Sequence, residues 1–401
     1  VRINGELISC GFVAADGPES PELRPRGSGV ESEAKTFVLE RQLLKRPGRN
    51  APARQRETVL LISPSMAESN NGNWHTAHRW SKFLLGHCDI SLMPKWPADS
   101  GSAGDGPIQK SGSVPQAMIA LHARRSAASI SAWAAAWPDK PLIVVLTGTD
   151  LYRDISNNGD AQKSLSLATH LVMLQDAGLD ALPPEFRPKT QVIYQSAPAL
   201  KPALKSSRRF GALMVGHLRD EKDPLTFMRA AERPFEAGVH FEQIGMALES
   251  RFAEAAHCTG RSAAHYRWLG GLSRPSTRQH IRRAHVLVNC SHMEGGAQVI
   301  LEAVQSGTPV LASRISGNIG MLGADYAGYF EPGDDARLAE LVRQCAADAD
   351  FLARLQSQCS QRADLFDPQR EKRLVINLVI SALAAHHQSP VPKQRIIESL
   401  P

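Results

Sequence analysis

Phe210-Gly-Ala-Leu-Met-Val-Gly-His-Leu-Arg-Asp-Glu-Lys-Asp-Pro224 reads as one strand, one loop and the opening of a helix. Phe210–Val215 is a short apolar run closed by Gly216, the pattern of a buried strand. Gly216 to Asp223 is polar and charged. A helix is expected from Pro224, because proline fits a first helical turn, where its missing amide hydrogen is not needed. The same unit recurs outward in both directions. Towards the C-terminus, strands are expected at 239–244, 266–269, 286–289, 309–312 and 329–330. A helix is expected over 297–305, after a Gly-Gly pair, and helical stretches run from 335 to near 387. Towards the N-terminus, strands are expected at 59–62, 90–93, 118–121, 142–146, 171–174 and 191–194, with helices over 74–85, 125–137 and 161–169. Strand, loop, helix, repeated, predicts parallel sheets covered on both faces. The expected fold class is therefore α/β, with two Rossmann-like doubly wound domains facing a central cleft. The active site is expected in that cleft, outside the carboxyl ends of the strands.

The rest of the chain fits around this frame. Residues 1–57 are rich in Gly, Pro, Ser and Arg without apolar periodicity, and read as a disordered extension. The N-terminal domain is expected over 58–198, a linker over 199–209, the C-terminal domain over 210–370, and a C-terminal helix and tail over 371–401. The stretch 95–115 is rich in Gly, Ser and Pro and reads as a surface excursion.

Composition excludes several function classes. Among 401 residues, 42% are hydrophobic and 21% charged, ordinary values for a soluble globular protein. No apolar run is long enough to span a bilayer, so no membrane partner is expected. Residues 7–15 make a poor signal peptide, and the string Leu7-Ile8-Ser9-Cys10 lacks the apolar stretch a lipidation site needs. Six cysteines, at 10, 88, 258, 290, 345 and 359, form no CxxC pair, so reduced thiols in a cytoplasmic protein and no metal site are expected. Residues 35–56 carry Lys35, Arg41, Lys45, Arg46, Arg49, Arg54 and Arg56 against Glu40 alone. Phe37 is the only aromatic there, so the run reads as a solvated tail and no nucleic-acid partner is expected. Asp348-Ala-Asp350 has the D-x-D form of some metal sites but lies in a polar helical stretch, and reads as an exposed helix face.

The chemistry concentrates in His292-Met-Glu-Gly-Gly-Ala-Gln-Val-Ile-Leu-Glu-Ala303. Two glutamates stand eight positions apart, about 12 Å of helix rise, so they can serve different parts of one extended ligand. Glycines admit a ligand close to the backbone, and a helix beginning there aims amide donors at a pyrophosphate. A carboxylate accepts paired hydrogen bonds from vicinal sugar hydroxyls. This segment resembles the E-x7-E motif of family 4 glycosyltransferases, which have the GT-B fold. In that family the first glutamate and the following amides contact the donor sugar, and the second glutamate binds the ribose. The matching positions are Glu294, Gly295, Gly296, Ala297 and Glu302. The family also carries Gly-Arg-Leu and a nearby lysine after the first strand of the second domain, both holding the pyrophosphate. Lys222 matches the lysine. Position 217 is histidine in place of the arginine, and Arg219 stands two residues on. Fixed cations can stabilise a leaving diphosphate, so no cofactor and no metal are expected.

The acceptor should bind the first domain. Its loops at 71–80, 121–126 and 146–154 follow strands and emerge on one side of a parallel sheet, bringing His75, His78, Arg79, His122, Arg124, Arg125 and Arg153 to one cleft edge. That composition suits a small anion. The candidate acceptor contacts are Asn71, Gly72, Asn73, Arg79, Arg124, Arg125, Thr147 and Arg153, with Arg124 and Arg125 leading. The strings LHARRS, LTGTDLYRD, VIYQSA, VGHLRDEKDP, YRWLGG, MEGGAQVILEA and LASRISGNIGMLGADYAGYF resemble the selenosugar synthases of selenoneine biosynthesis, over about residues 58–370. The resemblance implies transfer of a hexose or N-acetylhexosamine from a UDP-sugar to selenophosphate, giving a 1-seleno sugar. His122, Arg219, Lys222 and Glu294 are the expected catalytic residues, with His122 near the anomeric centre. The alternatives are an ordinary hexosyltransferase with a hydroxyl acceptor, and a non-catalytic nucleotide-sugar-binding protein.

Overall fold

The computed structural model describes residues 56–66, 72–97 and 114–388. The expected N-terminal extension, with its basic run and Cys10, lies almost wholly outside the described residues. So do Asn71 and most of the Gly-rich excursion.

The first half is built from β1 (Thr58–Ile62), α1 (Gly72–Leu84), β2 (Asp89–Met93), β3 (Ala117–Leu121), α2 (Ala127–Ala136), β4 (Leu142–Leu146), α3 (Gly159–Leu167), β5 (His170–Met173) and β6 (Thr190–Val192). The six strands pair in parallel in the order β2-β1-β3-β4-β5-β6. Strands β1, β3 and β4 are buried throughout, which is why they read as unbroken apolar runs. Their alternate residues feed two cores. Val59, Leu61, Ile119 and Leu121 face α1, and Leu60, Ile62, Met118 and Ala120 face the side covered by α2 and α3.

The second half runs through β7 (Phe210–Val215), α4 (Pro224–Glu232), β8 (Val239–Ile244), α5 (Ser250–Ser262), β9 (Tyr266–Trp268), α6 (Arg274–Arg283), β10 (Val286–Asn289), α7 (Gln298–Val304), β11 (Val310–Ser313), α8 (Ser316–Leu322), β12 (Tyr329–Phe330), α9 (Asp335–Ala347) and α10 (Ala349–Ser360). Its strand order is β12-β11-β10-β7-β8-β9, all parallel. The chain winds outward from β7 in one direction, then returns to β10 and winds the other way. The switch point lies between β7 and β10. The loops leaving these two strands carry Lys222 and Glu294, at the place where doubly wound sheets bind ligands.

A last helix, α11 (Pro368–Gln388), leaves the second half and returns to the first. Val375, Leu378, Val379, Ala382 and Leu383 join the core beneath β1 and β3. Its Glu371, 1% exposed, accepts from Arg79 Nε at 2.8 Å and Nη2 at 3.0 Å, from Trp80 Nε1 at 2.8 Å and from Ser196 Oγ at 2.5 Å. Four donors offset the cost of burying this carboxylate and fix α11 to α1. The amphipathic spacing of α11 is readable in sequence, but not the half it covers.

Candidate active site

On the donor side, β7 ends in the loop that carries the short turn Asp220–Lys222. Asp223 then stands in the left-handed region at φ 44° and caps α4, its Oδ1 accepting from Thr226 N at 3.2 Å. Pro224 follows at the first helical position. This fixed turn lays Lys222 Nζ against Glu294 Oε1. Glu294 is 8% exposed, and Oε1 also accepts from Ser291 Oγ at 2.6 Å and Asn289 Nδ2 at 3.3 Å. Burial acts to raise the carboxyl pKa. The Lys222 charge and the hydrogen bonds from Lys222, Ser291 and Asn289 outweigh it, and the group sits below its ordinary value.

Glu302, 4% exposed, lies in α7, and its Oε1 accepts from Arg274 Nη2 at 2.9 Å and Nε at 3.2 Å. Arg274 opens α6 behind the Ser273 cap. The helix bearing Glu302 starts at Gln298 with Ala297 as its N-cap, one residue from the expected start. The glycines before it serve packing between the halves. A methyl on Gly295 would overlap the Thr147 carbonyl, and one on Gly148, at φ 127°, would stand 2.6 Å from Gly295 N. These two glycines let the donor loop and the first half meet backbone to backbone.

On the opposite wall, His122 follows β3 at φ 71°, an uncommon conformation for a residue with a side chain. Arg125 N donates to its Nδ1 at 3.3 Å, and Nε2 lies 2.9 Å from Thr149 Oγ1. These contacts assign the ring hydrogen to Nε2. Burial lowers the imidazole pKa, against the nearby Asp150 carboxylate, so the ring is neutral at pH 7. His75 of α1 is pushed down to about 4, first by burial and then by the charges of Arg274, Arg79 and His78.

These groups line a cleft of about 490 Å³, within the usual range for small-molecule sites. Gly72, Asn73, His75, His122, Arg125, Thr147, Gly148 and Thr149 form one wall. Arg219, Glu221, Lys222, Met246, Leu272, Arg274, Glu294, Gly295, Gly296 and Glu302 are among the residues of the other. Among the described residues, no group of three or more His, Cys, Asp or Glu side chains gathers to hold a metal. No described helix is long and apolar enough to cross a membrane.

Residues 199–364 match the sequence model of the family described as glycosyl transferases group 1. The match lies within the second half and takes in the loops that carry Lys222 and Glu294 and the helix that carries Glu302. The whole described chain shares its architecture with solved GT-B glycosyltransferases. HepE of Anabaena, solved with UDP and glucose, is 17% identical with a TM-score of 0.62, covering 81% of this chain and 100% of that one. Sucrose-phosphate synthase of Thermosynechococcus elongatus is 16% identical with a TM-score of 0.64, covering 82% and 100%. The pneumococcal O-GlcNAc transferase GtfA, solved with UDP and GlcNAc, is 15% identical with a TM-score of 0.54, covering 70% and 59%. At these identities the likeness establishes the fold: two parallel α/β halves of the GT-B type.

Within the GT-B frame, the expected donor residues Arg219, Lys222, Glu294, Gly295, Gly296 and Glu302 all line the cleft. Ala297 does not; it is buried just before α7. Of the acceptor candidates, Gly72, Asn73, Arg125 and Thr147 line it, together with His122. Three arginines are held elsewhere. Arg79 is bound to Glu371, and Arg124 Nε to Asp154 Oδ2 at 2.7 Å. Arg153 lies between Asp154 and Glu221 at 3.3 Å from each. Asp348 caps α10, accepting from Asp350 N and Phe351 N at 3.0 Å, outside the cleft. Sequence reasoning missed Arg274, Asn289 and Ser291. Arg274 had a usable signal, the Gly-Gly-Leu-Ser cap directly after the YRW strand. Asn289 and Ser291 had none beyond their closeness to Glu294.

The depressed His75 pKa has a stability consequence. A folded value near 4 against an ordinary 6.5 favours the neutral ring in the folded state. Its penalty is absent above about pH 6.5, grows as pH falls, and is complete below about pH 4. His75→Gln is therefore expected to flatten the loss of stability between pH 6.5 and 4, measured by urea unfolding midpoints across that range. Parallel curves for the two proteins would refute this.

Proposed function

We propose that this chain transfers a hexose or N-acetylhexosamine from a UDP-sugar to selenophosphate: a C1–Se bond forms as UDP leaves, and transfer of the phosphoryl group to water, in the same site or afterwards, releases the 1-seleno sugar. The donor part is supported by the convergence of Lys222, Glu294, Arg274 and Glu302 at the switch point of the second sheet. In this reading Glu302, held by Arg274, takes the ribose hydroxyls. Glu294 takes the hexose, and Lys222 with Arg219 takes the diphosphate. Substitution at the anomeric carbon passes through an oxocarbenium-like transition state. The departing diphosphate gains charge, and two cations fixed beside it stabilise that charge without reorganising.

The acceptor part is carried by one observation. Arg125 lines the cleft beside His122, and among the described residues no carboxylate pairs with it. A cation facing a cleft without a counter-ion suits an anionic nucleophile. The selenium part is supported by the LHARRS and LTGTDLYRD strings, which supply the walls around that cation. Selenophosphate is already anionic and soft, so it needs little help from a base. Positioning then carries much of the rate. His122, neutral and with both ring nitrogens engaged, orients rather than shuttles a proton.

The test is mass spectrometry of the products from UDP-N-acetylglucosamine and selenophosphate, with UDP release followed in parallel. The expected product carries the selenium isotope pattern at the mass of a 1-seleno sugar or of its Se-phosphoryl precursor, and a chelator leaves UDP binding unchanged. UDP release only with a hydroxyl acceptor would replace selenophosphate in this reading. Tight UDP-sugar binding without release under any condition would make the chain a nucleotide-sugar-binding protein.

A further inference from the structure

Asp150 is a fully buried carboxylate with no part in the chemistry above. Its Oδ1 accepts from Thr147 N at 2.8 Å and Gly148 N at 2.9 Å, and its Oδ2 accepts from Ala123 N at 2.9 Å. One side chain thus ties the loop after β3 to the loop after β4. Among the described residues the ionisable side chain nearest its Oδ2 is His122, whose neutral ring places Nδ1 at 3.9 Å, beyond hydrogen-bond distance. Asp150 also opens a π-helical turn, Asp150–Asp154, closed by Ile155 N on Asp150 O at 2.8 Å. Such turns are rare and concentrate at functional sites.

What the carboxylate holds is the wall facing the donor. Ala123 follows His122 in the chain, and its amide is the anchor next to the left-handed His122 backbone. A strained conformation persists only where its surroundings over-determine it. Thr147 and Gly148 form the strip that meets Gly295 of the donor loop. The same turn reaches the second half again through Tyr152, whose OH lies 3.1 Å from Ser316 Oγ and accepts from Gln175 Nε2 at 2.7 Å. Asp150 therefore sits where the His122 side chain, the Thr147–Gly148 strip and the contact between halves are set together.

We propose that Asp150 is a positioning residue for sugar transfer, acting through His122 and the Thr147–Gly148 strip. The inference rests on the transferase reading above and deepens it. Asp150→Asn keeps the shape but leaves one acceptor oxygen for three amide donors, and turns an NH2 group against at least one of them. His122 then loses its fixed orientation, and a small misplacement of a reacting sugar costs rate far more than binding.

The experiment scales turnover to the number of UDP-binding sites found by titration calorimetry, so that a loss of folded protein is not read as a loss of catalysis. Asp150→Asn is expected to bind UDP with a dissociation constant within about twofold of normal, and to turn over roughly 10- to 30-fold more slowly per site. In histidine-labelled protein, the His122 15N shifts are expected to move from a single Nε2-protonated form to a mixture. Unchanged turnover per UDP-binding site would overturn the proposal. Asp150→Glu carries the same test if the amide variant does not fold, since it keeps both oxygens and displaces them by one methylene. If the wild-type protein releases no UDP from any UDP-sugar, the transferase reading falls. The His122 shifts then decide the positioning role alone, and an unmoved tautomer in the variant refutes it.

Discussion

Lys222→Ala is expected to lower turnover by roughly two to three orders of magnitude, the cost of removing one fixed charge from a developing oxyanion. The same substitution strips Glu294 of the cation at its Oε1, leaving Ser291 and Asn289 as donors. Burial, which acts to raise the carboxyl pKa, then meets less opposition. In the wild type the folded Glu294 pKa lies below its ordinary value. Its ionic stabilisation is present above the ordinary carboxylate range and is lost as pH falls through the folded value. In Lys222→Ala that stabilisation is missing at neutral pH, at a cost of about 3 kcal/mol, the low end for breaking a buried ion pair. The urea-unfolding gap between the two proteins should therefore be wide at pH 7 and narrow as pH falls through the folded Glu294 value. Lys222→Ala combined with Glu294→Gln should recover most of the stability and none of the turnover. A stable, near-normal Lys222→Ala enzyme would show that Lys222 neither holds the diphosphate nor stabilises the fold through Glu294.

The central strands were legible because they are buried on two faces and so spell apolar runs, as in 59–62, 142–146 and 286–288. The start of α4 was legible because Pro224 marks it. What stayed hidden depends on partners far apart in the chain. Arg79 reads as a cleft arginine until Glu371, 292 positions later, is seen to hold it. Arg124 and Arg153 read as acceptor contacts until the π-turn delivers Asp154 between them. The Gly295-Gly296 pair reads as a ligand-approach loop opening a helix. Its first glycine is needed equally for the backbone of the other half. Local sequence carries propensity and burial; it carries no record of which carboxylate a cation meets.

Arg125→Ala is expected to depress kcat/KM for the anionic acceptor about a hundredfold while leaving UDP affinity unchanged. Arg124→Ala is expected to change it by no more than a few-fold. The two arginines are adjacent in sequence and equally basic, so sequence alone ranks them together. The structure separates them by what each already touches. Arg124 gives its Nε to Asp154, with a side chain 38% exposed, and lies outside the cleft lining. A pair of that exposure is worth roughly 0–1 kcal/mol, and Arg153 remains beside Asp154 when Arg124 is removed. Arg125 lines the cleft, and among the described residues only its backbone amide is engaged, on His122 Nδ1. Arg125 is itself exposed in the open cleft, so the effect depends on the acceptor and donor covering it when bound. A charge-assisted contact to an anion desolvated in that way is worth on the order of 2–3 kcal/mol, which is close to a hundredfold in rate. Truncating the side chain leaves the amide on His122, so the neighbouring wall should stay in place and the loss should be specific to the acceptor. The measurement is steady-state turnover with selenophosphate varied at saturating UDP-sugar, alongside UDP titration. Equal, small effects in both variants would move the anion site away from this wall. A large effect in Arg124→Ala alone would mean that Asp154 releases Arg124 when the acceptor arrives.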